Sequence, residues 1–334
     1  MKLKSTLLLF IISFITITPF SDSSACDSHL SDFEKQKKLF PEFYKSLEQR
    51  NLQLEEENAK LLSKIDPNQK STQKRIIPVV VHVIHDFGSE NVTDAQVSAA
   101  IETLNRNING QDAKFVSRTP DVFAAVVGRP HLEFRLATKD PSGNPTSGIN
   151  RIQSELTVVT EPRDQIKTLS YWNSYQYLNI WLVKALPATT GGVIVGYAQF
   201  PYGGSMSTDG VVCNAAQFAN TASTTLTHEV GHWLGLRHTW GDALCGDDQV
   251  ADTPPQRYSN GVGDNPGPLP TTNSFPYHVG LQNQGCIADS LNWAGEMFMN
   301  YMDYTNDQYV TMFSEGQVDV FDVTLDGEDG SLGY

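Results

Sequence analysis

An apolar run rich in β-branched residues begins just after residue 75. Residues 76–85 read IIPVVVHVIH, and a short apolar run of this composition predicts a buried strand. His82 and His85 fall inside the run, so we interpret them as packing or rim residues rather than metal ligands.

A helical pattern follows this strand. Apolar residues recur at helical spacing after Thr93, which predicts an amphipathic helix, and these residues are Val97, Ile101, Leu104 and Ile108. Thr93 is expected to cap the helix, with Gln96 in the reciprocal position of a capping box.

Three further stretches have the composition of strands, and one has that of a helix. Residues 131–138 alternate, residues 177–183 are apolar enough for a central strand, and residues 193–200 form a shorter strand. A long helix is predicted from about residue 222 to residue 234. This order predicts an α/β layer with the last helix beneath the sheet.

The character of the chain changes after Gly235. Gly, Pro, Asn and Asp dominate as far as residue 276, which predicts a region built from loops. So long a stretch of loop is expected in a folded protein only if metal ions or disulfides hold it.

The first 25 residues have the pattern of a secretory signal peptide. Lys2 and Lys4 precede an apolar run over residues 7–17 that is too short to span a membrane, and small residues predict cleavage after Ala25. A lipid anchor on Cys26, the next residue, is the alternative. In either case the protein leaves the cytoplasm, so disulfides are allowed.

Residues 26–74 are rich in lysine and glutamate and cannot build a core alone, so we interpret them as a pro-segment. Apolar residues near the helical period are Leu39, Phe43, Leu47, Leu54 and Leu61. Residues 68–75 are polar and offer a protease-accessible joint, with the cut expected near Lys74 or Arg75. A permanent helical extension is the alternative.

The net charge of −14 results from 24 basic and 38 acidic residues. The negative charge is concentrated after residue 210, where Arg237 and Arg257 are the only basic residues. Such a surface should repel nucleic acid and anionic membranes, and should favour Ca²⁺ and cationic substrates. Solubility alone is an alternative explanation of this charge.

The most specific pattern is His228-Glu229-Val230-Gly231-His232-Trp233-Leu234-Gly235-Leu236-Arg237-His238. Two histidines four residues apart project from one face of a helix, where they can bind a single Zn²⁺. Gly235 can adopt the left-handed conformation that ends a helix, so the chain can turn back and bring in His238 as the third ligand. Glu229 lies where a carboxylate can accept a proton from water.

Three protein ligands leave a fourth position open, which is typical of a catalytic zinc site rather than a structural one. The alternative is that these are ordinary polar residues on a surface helix. The extended spacing is the metzincin signature, which makes that alternative weak.

Four cysteines are present, and two of them lie in the loop-rich half. We pair Cys245 with Cys286, although spacing alone does not fix connectivity. Cys213 lies in an apolar run and is interpreted as a buried thiol. Residues 245–253 offer several oxygen ligands, so a Ca²⁺ site is predicted at Asp248, Asp252 and Thr253, with a solvated acidic turn as the alternative.

These motifs occur in the order found in the pappalysin metzincins, and the chain resembles the small microbial members of that family over roughly residues 75–315. The resemblance rests on the zinc motif and on the segments 77–83, 196–201, 248–254 and 300–304, with Cys245 and Cys286 between them. In metzincins a methionine in a tight turn forms an apolar floor below the metal, and Met302 is the candidate here. Tyr304 could hydrogen-bond the oxyanion of the tetrahedral intermediate.

The resemblance implies an α/β fold with a twisted mixed sheet and the zinc helix in an upper subdomain, residues 75–235. The lower subdomain, residues 236–334, would be irregular and braced by Ca²⁺ and a disulfide. Substrate would lie extended along an edge strand that includes Gly196, Tyr197 and Ala198. Family members of this kind are secreted zymogens that cleave next to basic residues.

The C-terminal tail departs from the family pattern, and the family pattern does not identify the residue responsible for latency. Residues 313–317 are followed by an acidic, Gly-rich tail from Asp319 with a weak helical pattern, so we expect a shortened or altered C-terminus. Latency in relatives uses a pro-segment side chain bound to zinc, and the candidates are Cys26, Asp27 and Asp32.

The sequence therefore predicts a secreted zinc endopeptidase, taken to be monomeric, that acts on proteins or peptides. Asp303 and Asp307 are candidate contacts for Arg or Lys at P1′. A surface-anchored binding lipoprotein with an inactive peptidase fold is the alternative, and a metzincin of different ancestry is a third hypothesis.

Overall fold

The structure is a computed structural model. It describes residues 74–160, 162–187, 193–242, 246–256, 259–260 and 295–326, together with residues 49, 52–53, 56–57 and 59–64. The predicted signal peptide, the latency candidates Cys26, Asp27 and Asp32, and the predicted pair Cys245 and Cys286 lie outside these residues. Within the described part of the chain, no helix is long and apolar enough to cross a membrane.

Strands and helices alternate through the described residues. The strands are β1 (Arg75–His85), β2 (Leu132–Leu136), β3 (Ile149–Gln153), β4 (Leu178–Val183), β5 (Leu186–Pro187), β6 (Val193–Ile194), β7 (Gly196–Ala198) and β8 (Val211–Asn214). The α-helices are α1 (Asp94–Ile108), α2 (Phe115–Arg118), α3 (Asp121–Ala124), α4 (Ala215–Ala219), α5 (Thr225–Trp233) and α6 (Glu315–Asp326). Two 3₁₀ helices span Arg163–Leu169 and Met206–Thr208.

A six-stranded mixed sheet organises the fold, in the order β2-β1-β4-β8-β7 with β3 also paired to β1. All of these pairs are parallel except β7 with β8, which is antiparallel. The first half of β1 pairs with β2 and the second half with β3, while β4 lies along its other side. The predicted buried first strand and the predicted central strand are confirmed, whereas residues 193–200 form two short strands rather than one.

The main core lies between one face of the sheet and helices α1, α5 and α6. It joins strand residues such as Val79 and Ile180 to Leu104 of α1, Val230 of α5 and Phe321 of α6. A second cluster covers the opposite face of the sheet around Trp181 and Tyr197. Burial on both faces explains why β1 and β4 have continuous apolar sequences rather than alternating ones.

Helix α1 begins as its sequence predicts. The Thr93 hydroxyl accepts a hydrogen bond from the Gln96 backbone N–H, and the Gln96 side chain accepts one from the Thr93 backbone N–H. Both partners of the capping box are therefore in place, which satisfies two backbone donors that the helix itself cannot pair.

Helix α6 corrects the expectation of a weakly helical C-terminal tail, because the twelve-residue helix Glu315–Asp326 continues into the tail as far as Asp326. Distant residues stabilise the helix at its start and along its length. The Asp252 carboxylate accepts hydrogen bonds from the Ser314 hydroxyl and the Gly316 N–H, and the Thr324 hydroxyl donates to the Leu234 carbonyl. Tertiary packing therefore provides the stability that intrinsic propensity lacks.

The first strand is tied to this last helix by an ion pair. The Arg75 guanidinium lies 2.7 Å from the Asp326 carboxylate, and it also donates to the Asp322 carbonyl oxygen at 3.3 Å. Leu61, from the segment interpreted as a pro-segment, packs against the same core. Arg75 is thus held within the folded domain, at the point where the predicted joint ends.

Candidate active site

Helix α5 carries His228 and His232, and the sharp turn after it returns the chain to the same place. Gly235 has φ +97°, and the Leu236 N–H donates to the Gly231 carbonyl across the turn. This is the hydrogen bond of a Schellman C-cap, which favours a residue without Cβ. The predicted left-handed turn is confirmed, and it brings His238 against the two helical histidines.

The three imidazoles meet through their Nε2 atoms. The Nε2 of His238 lies 3.2 Å from that of His228 and 3.1 Å from that of His232. Tetrahedral ligands about 2.0–2.1 Å from a zinc ion would be separated by about 3.3 Å. Among the described residues, these three form the one group of His, Cys, Asp or Glu that could hold a metal ion.

The hydrogen bonds at the opposite ring nitrogens show why a cation fits this place. His228 Nδ1 lies 2.7 Å from the Tyr301 carbonyl oxygen, and His232 Nδ1 lies 2.8 Å from the Leu236 carbonyl oxygen. A carbonyl only accepts, so each Nδ1 carries the proton and each Nε2 presents a lone pair. Lone pairs directed at one another repel, and a bound cation relieves that repulsion.

The electrostatic environment keeps these rings neutral. Burial, followed by the nearby His238, lowers the pKa of His228 to about 3, and the same causes hold the pKa of His232 well below its usual range. Neutral imidazole is the form that binds metal, so the buried site is prepared for a ligand role.

The third histidine has a carboxylate partner that sequence reasoning missed. His238 Nδ1 hydrogen-bonds the Asp242 carboxylate, and Asp242 adopts φ +57°, in the left-handed region. The Trp240 ring stacks on the His238 ring with centroids 4.3 Å apart. A carboxylate on the far nitrogen of a metal-binding histidine fixes its tautomer and ring orientation.

Glu229 is buried beside the cluster and against strand β7. A Cβ built on Gly196 would lie 2.8 Å from the Glu229 side chain, so the strand and the carboxyl group are in close contact. Burial raises the pKa of Glu229 to about 8. Its Oε2 atom has no hydrogen-bond partner among the described residues, so it is available to a substrate or to water.

Met302 lies directly beneath helix α5. A Cβ on Gly231 would lie 2.4 Å from the Met302 sulfur, so the methionine side chain packs directly against the helix between His228 and His232. The Met302 carbonyl also accepts from the Thr239 N–H at 3.4 Å. The segment of Met302 thus supports both the helix and the third histidine, which is the position predicted for an apolar floor.

Tyr304 lies against the ligand rings. Its ring centroid is 4.8 Å from that of His238, 5.6 Å from that of His228 and 4.6 Å from that of Trp240. The phenol is only partly buried, so one side of it faces outward from the cluster.

At the sheet edge predicted to contact substrate, the backbone of β7 lies near Glu229, but the Tyr197 side chain does not. Strand β7 is the terminal strand of the sheet, and it places the backbone of Gly196–Ala198 beside Glu229. The Tyr197 side chain points to the opposite face, where its hydroxyl donates to the Arg163 carbonyl at 3.2 Å. Tyr197 could therefore contact a substrate only through its backbone.

The two predicted P1′ acids also differ. Asp303 is 4% exposed, and its carboxylate accepts from the Asn260 N–H, the Asn260 side chain and the Gln256 side chain. Asp303 therefore ties its loop to Gln256 and Asn260, and its contact with substrate remains a prediction. Asp307 instead accepts from the Thr224 N–H at 2.9 Å and lines a cavity at the start of α5.

The residues predicted to bind Ca²⁺ use their oxygens elsewhere. One Asp248 oxygen accepts from the Thr253 hydroxyl and the Val250 N–H, while Asp252 caps helix α6. Burial raises the pKa of Asp248 well above its usual range. A Ca²⁺ site at these residues remains a prediction.

Comparison with known proteins places this geometry in a family. The family model described as pregnancy-associated plasma protein-A (Peptidase_M43) matches residues 161–326, as far as the end of α6. An extracellular metalloprotease of Verticillium alfalfae is 30% identical over 240 residues, which are 68% of this chain and 66% of the relative. One of Arthroderma otae is 26% identical over 72% of this chain and 74% of the relative.

Solved structures agree with these matches. Mature mirolysin of Tannerella forsythia in complex with a cleaved peptide is 36% identical, with a TM-score of 0.65 over 78% of this chain and 94% of that chain. A promirolysin mutant from the same organism is 34% identical, with a TM-score of 0.67 over 85% of this chain and 90% of that chain. This chain therefore belongs to the pappalysin family and is a zinc metalloendopeptidase.

Proposed function

We propose that this protein is a secreted zymogen whose mature form cleaves proteins on the amino side of Arg or Lys, with His228, His232 and His238 as the zinc ligands. The observation that carries the proposal is the convergence of three buried, neutral imidazoles beside a buried carboxyl group. Secretion is supported by relatives named as extracellular metalloproteases, and the zymogen form by similarity to promirolysin.

The zinc ion, when bound, supplies Lewis-acid chemistry that polarises a carbonyl group and makes a water molecule more acidic. Glu229 then acts as the general base. Its carboxylate lies against strand β7 beside the three histidines, where it can take a proton from the attacking water and later give it to the leaving amine.

Tyr304 stabilises the charge that develops during attack. Its ring packs beside two of the ligand rings, and its phenol can donate a hydrogen bond to the oxyanion of the tetrahedral intermediate. The edge strand β7 orients the substrate by adding the peptide as a further strand next to Glu229.

The cavity at the start of α5 is proposed to receive the P1′ side chain. It has a volume of about 570 Å³, and its lining includes Asp307 and Thr224, which are hydrogen-bonded to each other. Thr224 precedes His228 by four residues, and a rise of about 1.5 Å per residue separates them by about 6 Å along the helix. This distance matches the reach of a long side chain next to the scissile bond. A stabilising Ca²⁺ ion and the Cys245–Cys286 disulfide belong to the proposal as predictions for the lower half.

The test uses the full chain, before and after limited trypsin treatment followed by trypsin inhibition, on a mixed peptide library. We expect chelator-sensitive cuts before Arg and Lys, and their absence in Glu229→Gln, which keeps the size of the side chain but not the base. The expected loss of rate is about 10²- to 10⁴-fold.

Two results would contradict the proposal. A zinc-loaded, folded protein that cleaves nothing would favour the binding-lipoprotein alternative. Cuts that persist in Glu229→Gln would remove that residue from the role of general base.

A further inference from the structure

The cavity at the start of α5 is lined by basic as well as acidic residues. Its charged lining residues are Asp112 and Asp307 on one hand and Arg106 and Lys114 on the other. The formal charges therefore balance, although the C-terminal half of the chain is strongly acidic. A basic substrate side chain would enter a cavity whose acids already have partners.

Lys114 is the cation that lies between the two acidic residues. Its ammonium donates to the Asp307 carbonyl oxygen at 2.6 Å and lies 3.3 Å from the Asp112 carboxylate. Its side chain is 32% exposed, so it borders open space in the cavity rather than being sealed in the core.

Hydrogen bonds hold the Asp112 carboxylate in place, and one of them comes from Tyr301, which also contacts His228. One of its oxygens accepts from the Tyr301 hydroxyl at 3.0 Å and the other from the Lys114 N–H at 2.8 Å. Tyr301 also supplies the carbonyl that holds His228. The pair Asp112–Lys114 is therefore connected to the metal site through a single residue.

We propose that Lys114 is a specificity-determining residue that limits the enzyme's preference for basic P1′ side chains. The inference rests on the proposed function of this cavity as the P1′ pocket. The ammonium repels a second cation and is already paired with the Asp112 carboxylate, while it attracts an acidic side chain. The enzyme should accept neutral and acidic P1′ residues more readily than a purely acidic pocket would.

The experiment measures kcat/KM on three peptides that differ only in Arg, Leu or Glu at P1′. With Lys114→Met in the full, trypsin-activated chain, we expect the Arg-to-Leu ratio to rise about tenfold and the Arg-to-Glu ratio to rise further. Lys114→Arg should keep the parent ratios because it keeps the charge. Lys139→Met, which removes an exposed lysine outside the cavity lining, is the matched control.

A second pair of variants tests the mechanism. Asp112→Asn added to Lys114→Met should return the Arg-to-Leu ratio toward the parent value, because the cavity then has the parent's net charge. Zinc content and thermal midpoint of each variant establish that the enzyme is folded.

The outcomes separate the two proposals. Unchanged ratios in Lys114→Met, with a reduced Arg-to-Leu ratio in Asp307→Asn, would overturn the role of Lys114 and leave the P1′ pocket standing. Unchanged ratios in both variants would overturn the assignment of the cavity. A parent enzyme without chelator-sensitive cleavage would overturn the proposed function and the inference together.

Discussion

His82 in the sheet and the three histidines of the zinc motif are all buried, yet their ring nitrogens have different surroundings. His82 Nε2 lies 2.9 Å from the Asn179 side-chain oxygen, and its Nδ1 lies 2.9 Å from the Ser170 hydroxyl. In the cluster each Nδ1 has a partner, but the Nε2 atoms face one another. Burial therefore does not distinguish a structural histidine from a metal ligand. The distinguishing feature is whether both ring nitrogens have a hydrogen-bond partner, as in His82, or only Nδ1 has one, as in the cluster.

The largest expected effect comes from removing one imidazole from each region. His232→Ala should lose zinc and reduce turnover by about 10³-fold or more, because the metal supplies several kcal/mol of transition-state stabilisation. His82→Ala should keep zinc and turnover but lose about 1–3 kcal/mol of unfolding free energy, since Asn179 and Ser170 lose a partner. Zinc content, turnover and urea unfolding are measured for both variants. Loss of zinc from His82→Ala would contradict the distinction between a structural histidine and a ligand.

An intermediate effect is expected at the carboxylate behind the third ligand. Asp242→Ala should weaken zinc affinity by about 10- to 100-fold, because His238 loses the partner that fixes its tautomer and orientation. Asp242→Asn, which keeps an acceptor without the charge, should fall between that variant and the parent. Competition with a chelator of known affinity measures both. Parent-like affinity in Asp242→Ala would show that packing on Trp240 alone positions His238.

The smallest effect is a pH dependence that belongs to His82. Burial lowers its pKa to about 4, below an unfolded value of about 6.5. The unfolded chain therefore binds the extra proton first, so the contribution is complete above about pH 6.5 and is lost as the pH falls toward 4.

Urea unfolding of the parent and of His82→Gln, each at pH 7.5 and 5.5, measures this contribution. Between pH 7.5 and pH 5.5 the unfolding free energy of the parent should fall by about 1 kcal/mol more than that of the variant. Any loss of stability from zinc release should be the same in both proteins and should cancel. Equal losses would show that His82 is protonated in the fold.

Local patterns were sufficient for part of the fold and site. Strand β1, the Thr93 cap and the zinc-motif histidines depend on residues within one element or one turn, so their spacing predicted them. Helix α6 depends on Asp252, on Leu234 and on the distant core, and its own sequence carries little of that information.

The parts of the site that sequence patterns did not reveal depend on contacts between residues far apart in the chain. Asp303 and Asp307 are four residues apart and chemically identical, and only the positions of Asn260 and Thr224 decide which one is buried. Lys114 reaches the cavity from a segment almost 200 residues earlier in the chain. Asp242 had a usable signal, since a carboxylate four residues after a ligand histidine is a candidate partner for its second nitrogen.

The parallel pairing of β1 with β4 also has a consequence for the order of folding. Val79 pairs with Leu178, about 100 residues along the chain, and His228 depends on a carbonyl 73 residues away. Contacts of such separation close large loops, so this domain should fold slowly and assemble its site late. The histidines can form their helix early, but their tautomers are fixed only when Tyr301 arrives. Metal capture, and with it peptidase activity, is therefore delayed until the chain has nearly finished folding.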